Sequence, residues 1–225
     1  MKKILIAETN IDQYGDNSQP TGIWLEEATS FYDVVTQAGY EVDFASAKGG
    51  MVPVDPHSAR ADRRTMEIFQ TEAFHKNAIE NTKKFSEVNP EDYVAIYFCG
   101  GHGAMWDFPD NAELISLAEE IYKNQGYITS VCHGEVGLVN LKDENGEYLV
   151  KGKKINGFTN QEEMMNGTTE MVPFLGETML KERGADFVKG DPFTEFAVSD
   201  QRFITGQNPF SSAKVAKLLV EELAK

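Results

Sequence analysis

Tyr127-Ile128-Thr129-Ser130-Val131-Cys132-His133-Gly134-Glu135-Val136-Gly137 is the stretch on which the reading of this chain turns. Its first half is β-prone and nearly continuous in apolar residues. That is the pattern of a parallel strand covered by helices on both faces. The run stops at Cys132, and the residues after it suit a helix start. A thiol at such a junction is set as in a nucleophile elbow, a sharp turn that lifts a side chain clear at the top of a sheet. The positive end of a helix beside the sulfur favours the thiolate and predicts an unusually acidic thiol. Gly134 lets the backbone pass closely, and His133 brings an imidazole near the sulfur. The competing reading is an inert cysteine buried at a strand end. The strand-Cys-His-Gly-helix context argues against it.

Three further runs have strand character: Ile4–Ala7, Glu41–Ala45 and Tyr93–Cys99. Helical patterns fall between them. Residues 22–38 place Trp24, Leu25, Ala28, Phe31, Tyr32 and Val35 at three- and four-residue spacing, and Gly39 closes the segment as a C-cap. Residues 111–122 carry Leu114, Ile115, Leu117, Ala118 and Ile121 on one broad face. Residues 209–224 form a C-terminal helix with Val215, Leu218, Leu219 and Leu223. The alternation predicts an α/β fold built on a doubly wound parallel sheet. Two additions are expected. A loop at Gly49–Pro56 and a polar helical region over 61–88 together make a cap insertion at about 49–90. Asp143–Gly146 is a turn signal whose flanks suit a β-hairpin, and Phe196–Ser199 with Arg202–Thr205 suits a second short strand pair.

A chain of 225 residues fits one α/β domain spanning 1–225 and can bury most of its apolar surface without staples. Lys and Arg total 21 against 36 Asp and Glu, a net charge of −15. Nucleic acid needs a basic surface, so it is excluded as a partner. So is an anionic membrane surface. The two cysteines, Cys99 and Cys132, are too few for a disulfide framework and read as reduced thiols of a cytoplasmic protein. The start, Met1-Lys2-Lys3-Ile4-Leu5-Ile6-Ala7-Glu8, resembles a secretory leader. Its apolar stretch is only four residues long and ends in charge, so it is read as the first strand.

Three more segments carry polar chemistry. Cys99-Gly100-Gly101-His102-Gly103-Ala104-Met105-Trp106-Asp107 follows a strand, and its glycines expose backbone N–H groups at the carboxyl edge of the sheet. Ligands bind there in open α/β folds, and such donors can hold an oxyanion. A tight strand-to-helix turn is the plainer reading, and no Gly-Lys-Ser/Thr follows to suggest a phosphate loop. Gly100, His102 and Trp106 of this loop are expected in the substrate pocket, together with Asn160. Cys99 reads as core packing. Glu26, in Thr21-Gly22-Ile23-Trp24-Leu25-Glu26-Glu27, is either a favourable charge at a helix N-terminus or a buried acid beside Cys132 able to move a substrate proton. In Gly157-Phe158-Thr159-Asn160-Gln161-Glu162-Glu163 a helix is capped by Thr159 or Asn160. Glu162 or Glu163 could orient His133 there, as the third member of a triad does. His57, His75, His102 and His133 show no paired ligand spacing, so no metal is expected.

Taken in order, TGIWLEE, EVDFASAKGG with PVDP, GGHGAMWDFPD, VCHGEVGL, GFTNQEE and FITGQNPFSS resemble the ThiJ/PfpI, glutamine amidotransferase-like superfamily. The specific match is to its heat-shock chaperone and glutathione-independent glyoxalase (glyoxalase III) branch. The resemblance runs from about Ile4 to Ser212. It implies a flavodoxin-like α/β/α sandwich that is commonly dimeric. It implies Cys132 as nucleophile, His133 as its base, Glu163 as the acid of the triad and Glu26 as the buried glutamate beside the cysteine. The N–H groups of Gly101 and His133 are its implied oxyanion hole. Glu135 departs from the proline of many relatives, and the chain is shorter than relatives with a large N-terminal extension and a metal site. The expected activity is conversion of methylglyoxal or a similar 2-oxoaldehyde to a 2-hydroxy acid such as lactate. Oxidation and reduction occur within one molecule, so no cofactor is expected. Two other readings stand beside it. One is a stress protein that binds unfolded or glycated proteins, or senses oxidation at Cys132. The other is a cysteine peptidase or amidase, weakened because no histidine follows His133.

Overall fold

Ile4 and Ile6 face one side of the first strand and Leu5 and Ala7 the other, and all four are fully buried. A strand apolar on both faces must lie inside a sheet with helices above and below it. The computed structural model describes residues 3–225; Met1 and Lys2, the first residues of the leader-like start, lie outside the described residues.

The chain begins with β1 (Lys3–Glu8) and a small hairpin of β2 (Gln13–Tyr14) and β3 (Asn17–Pro20). Next come α1 (Leu25–Gln37), β4 (Glu41–Ser46), α2 (Arg63–Phe69), α3 (Glu72–Phe74) with a π-helical turn (His75–Glu80), and β5 (Lys83–Lys84). β6 (Tyr93–Phe98), α4 (Ala104–Asp107), α5 (Ala112–Lys123) and β7 (Tyr127–Val131) lead to a 3₁₀ helix (Cys132–Leu138). β8 (Lys154–Ile155), α6 (Asn160–Asn166), α7 (Gly176–Glu182), β9 (Asp186–Phe187), β10 (Ala197–Asp200), β11 (Phe203–Gly206) and α8 (Ser212–Leu223) complete it. Seven strands form the main sheet in the order β10-β11-β7-β6-β1-β4-β5. Among the described residues of this sheet, the β10–β11 pair alone is antiparallel. The inner order β4-β1-β6-β7-β11 is that of flavodoxin-like folds, and ligands of such sheets bind beyond the carboxyl ends of the strands where the winding reverses.

Two cores sandwich the sheet. α1 and α8 bury Leu25, Ala28, Phe31, Val35, Val215 and Leu219 against Ile4, Ile6, Tyr97 and Ile204. α5 buries Leu114, Leu117, Ala118 and Ile121 on the opposite face, against Leu5, Ile96, Phe98, Ile128 and Phe203. Phe31 stacks on Tyr97 with ring centroids 3.8 Å apart and planes within 4°. Removing such a ring costs about 3–5 kcal/mol, so this contact fixes the seat of α1 firmly.

The expected strands and helices appear with small shifts at their ends, and the strand pair around Asp200-Gln201 is β10–β11. Other stretches differ. The polar region 61–88 breaks into short pieces because Asp62 and Thr71 each start a new helix by capping it. β5 then joins the sheet edge at Ala45–Ser46. The segment expected as a cap packs along the β4 side, with Ile68, Phe74, Ala78 and Ile79 in the α1 core. The 143–146 turn closes through Gly146 N–H to the Asp143 carbonyl at 3.0 Å. Its flanks make one antiparallel bridge, Lys142 to Tyr148, and not a paired hairpin.

Candidate active site

β7 delivers Cys132 at its carboxyl end with φ +56°. A left-handed conformation in a residue other than glycine is strained, by about 1–3 kcal/mol, and such strain clusters at active sites. The helix expected just after the thiol is a 3₁₀ helix, Cys132–Leu138, with all seven residues buried. Gly134 crosses β6 so closely that a Cβ there would lie 2.0 Å from the Phe98 carbonyl oxygen. The tight elbow therefore depends on that glycine.

Three side chains line up behind the sulfur. His133 Nδ1 lies 3.4 Å from Cys132 Sγ, and His133 Nε2 lies 2.7 Å from Glu163 Oε2. The other Glu163 oxygen is 2.9 Å from His102 Nε2 and accepts the Thr168 hydroxyl. Burial alone would raise the Glu163 carboxyl, but His133 and His102 beside it hold it well below the usual carboxylate range. Burial, with His133 adding to it, pushes His102 down to about 4. Glu163 is thus an ionised acceptor, and both imidazoles donate Nε2–H to it. In neutral His133 that leaves the Nδ1 lone pair facing the thiol, as a base requires. Of the two candidate glutamates, the neighbour of Glu163 has another task. Glu162 closes the capping box of α6 with Thr159.

The buried acid beside the cysteine is Glu27, and this corrects the assignment of Glu26. Glu27 is fully buried. Its Oε2 accepts the Gly100 N–H at 2.7 Å, its Oε1 is buried without a partner, and its carboxyl is near enough to Cys132 for each to shift the other's titration. Glu26 is half-buried and lines the cavity in front of the sulfur. The reason is helical phase. Glu27, Phe31 and Val35 are four residues apart and share the stripe that faces the sheet. Tyr97 pins it further by donating its hydroxyl to the Glu27 carbonyl at 3.2 Å.

The expected acidic thiol is not what this environment makes. Burial pushes Cys132 well up, the Glu27 charge adds to that, and the His133 backbone N–H pulls the other way. Burial likewise pushes Glu27 well up. Two adjacent acids in a dry site titrate as a pair, so they carry at most one charge between them near neutrality. Cys99 is fully buried in the apolar core, and burial raises its thiol well above the ordinary value.

In front of Cys132 is a small cavity of about 140 Å³. Gly101, His133 and Glu26 line it, with His102 of the residues expected in the pocket. Three other expected lining residues do not. Gly100 lies beneath, where a Cβ would come within 2.4 Å of Glu27 Oε2 and 2.7 Å of the Val131 carbonyl. Trp106 packs edge-on to Tyr14 at 5.8 Å, and Tyr14 in turn is 5.0 Å from His102. Asn160 turns away, donating its backbone N–H to Glu177 at 2.8 Å and its amide to Thr178 at 2.9 Å. The apolar wall is Trp24, Phe158, Phe193, Pro209 and Phe210, and none of these was expected in the pocket. The fold also brings His102, His133 and Glu163 within 4.8 Å of one another by one ligand atom each. Chain spacing concealed that cluster; its facing atoms are already joined by the two hydrogen bonds above.

The chain belongs to the DJ-1/PfpI family, whose pattern matches residues 21–222. Within that class it is similar to a Candida albicans protein named glyoxalase 3, at 34% identity over 96% of each chain. The crystal structure of glyoxalase III from Candida albicans superposes with a TM-score of 0.89 at 32% identity, covering 98% of this chain and 96% of that one. The Francisella tularensis Rapid Encystment Protein 24 kDa superposes with a TM-score of 0.95 at 36% identity over 99% of both chains.

Proposed function

We propose that this chain is a glutathione-independent glyoxalase-like lyase that converts methylglyoxal or a related 2-oxoaldehyde to the 2-hydroxy acid, lactate from methylglyoxal. The observation that carries the reading is a single thiol set between two proton-handling groups, Glu27 and His133, at the floor of a cavity sized for a small molecule. The kinship with glyoxalases supports it.

The chemistry follows from those groups. Cys132 sulfur adds to the aldehyde carbon, and its proton passes by way of His133 to the carbonyl oxygen, which becomes the hydroxyl of a hemithioacetal. The N–H groups of Gly101 and His133 are the donors for the developing oxyanion. A base then removes the hydrogen from the former aldehyde carbon, and the neighbouring carbonyl oxygen takes a proton, giving an enediol. Glu27, beside the sulfur, suits this transfer. Reprotonation at the second carbon leaves a 2-hydroxy thioester. Water cleaves its C–S bond, releasing the acid and restoring the thiol. One carbon is oxidised and its neighbour reduced, so the electrons balance without an external redox partner. Glu163 and His102 hold His133 in the tautomer the first step needs. The setting implied is a cytoplasmic homodimer acting on a small aldehyde.

Purified protein incubated with methylglyoxal and no glutathione should form lactate. Cys132→Ser should fold normally and lose nearly all turnover, while Cys99→Ser keeps it. The reverse pattern would refute the assignment.

A further inference from the structure

Phe193 holds a backbone conformation that an aromatic residue rarely adopts, with φ +53°. The residue is 37% exposed, so burial in the core does not offset that strain. Strained residues persist only where their surroundings over-determine them, and they gather at ligand clamps. The surroundings here are specific. Phe193 donates its N–H to Glu162 Oε1 at 2.8 Å. Glu162 is itself fully buried, and the same oxygen accepts the Asn208 amide at 2.9 Å. Asn208 then donates to the carbonyl of Thr194, the next residue along, at 2.8 Å. The clamped ring lines the cavity over Cys132. It meets Phe158 at 6.1 Å and 63°, and Phe158 lies 4.4 Å from His133. Phe210, 53% exposed, lines the same cavity. Polar groups gather at the sulfur end of the cavity, and the remaining wall is aromatic.

We propose that Phe193 is a specificity-determining residue that seats an apolar substituent of the oxoaldehyde. The site then favours 2-oxoaldehydes bearing alkyl and especially aryl groups over glyoxal, which carries only hydrogen. This rests on the reading of the site as a glyoxalase and names its substrate class. The two carbonyls face Cys132, His133 and Gly101, while the substituent lies against Phe158 and Phe193. Glu162 acts as a positioning residue for that wall.

The test compares kcat/KM for glyoxal, methylglyoxal and phenylglyoxal. Wild type should favour phenylglyoxal over glyoxal by at least about tenfold, the scale on which apolar pockets discriminate. Phe193→Ala should lower that ratio by about tenfold, the loss falling mainly on phenylglyoxal. Phe193→Gly separates specificity from folding. Glycine adopts φ +53° without strain, so this variant should melt no lower than wild type and still lose the preference. An unchanged ratio in both variants, or a wild type that prefers glyoxal, overturns the proposal. A chain that turns over none of the three fails as a glyoxalase, yet the inference is still decided by alkylation of Cys132. Wild type should label faster with phenacyl bromide than with bromoacetone, and Phe193→Ala should erase the difference; equal ratios in the two proteins overturn it.

Discussion

Replacing Glu27 by glutamine removes one exchangeable proton from the site and almost nothing else. The glutamine carbonyl can still accept the Gly100 N–H, which Glu27 Oε2 takes at 2.7 Å. Burial already pushes the Glu27 carboxyl well above its ordinary range, so a neutral amide replaces a carboxyl already biased to its neutral form. Stability should therefore move by no more than about 1 kcal/mol. Turnover should fall by about 10²–10⁴, the usual worth of a positioned acid–base group, or roughly 3–5 kcal/mol of barrier. Glu26→Gln, one residue away in the cavity lining, should stay within about threefold of wild type, because the carboxyl that acts on the thiol is that of Glu27. The assay is the initial rate of lactate formation from methylglyoxal, with thermal unfolding and iodoacetamide labelling of Cys132 as controls. Glu27→Gln should still label. A Glu27→Gln enzyme with more than half the wild-type rate, or a crippled Glu26→Gln, would refute the reasoning.

Two further predictions concern pH. His102 is lowered from 6.5 to about 4 in the fold, so as pH falls the unfolded chain takes up the proton first. Its contribution is present above about pH 6.5 and is lost as pH falls toward 4, worth roughly 3 kcal/mol at most. Urea unfolding at pH 7 and pH 5 should show a smaller loss in His102→Gln; an equal loss would count against a buried neutral imidazole. Glu135 has the opposite sign. It is buried with Oε2 unpartnered, and burial, together with the charges of Glu163, Glu177 and Glu162, raises its carboxyl well above the ordinary value. Its contribution is full below the unfolded value and is lost as pH rises, by up to about 1.4 kcal/mol per unit. Glu135→Gln should therefore gain stability over wild type, and the gain should widen from pH 5 to pH 8. A constant difference would show that Glu135 is already ionised in the fold.

The sheet was legible because its strands are apolar on both faces, a pattern that helices of this length do not share. The elbow was legible because a β-prone run ends abruptly at Cys132-His133-Gly134. Its helix type was not: whether the turn after Cys132 is α or 3₁₀ depends on how Gly134 passes the Phe98 carbonyl, a contact made across strands. The thiol's acidity was misjudged for a related reason. Helix polarity can be read locally, whereas desolvation depends on everything that closes over the site. The far wall of the cavity was illegible because Phe158, Phe193 and Phe210 come from three separate connections, with no periodicity to mark them.

Each Glu-Glu pair near the site, Glu26-Glu27 and Glu162-Glu163, sits in the first turn of its helix. Successive residues there diverge by about 100°, so only one member of a pair can face Cys132. In α6 the choice could be read from the chain. Thr159 and Glu162 have capping-box spacing, which commits Glu162 to the helix end and frees Glu163 for His133. In α1 no such signal exists, because the N-cap is Trp24, whose own side chain makes no capping hydrogen bond. Its phase follows from the stripe that meets the sheet, and Phe31 on Tyr97 fixes that stripe. Counting back four residues from Phe31 reaches Glu27, not Glu26. The kind of chemistry was therefore visible in composition and order, while its address depended on which apolar residue anchors the helix.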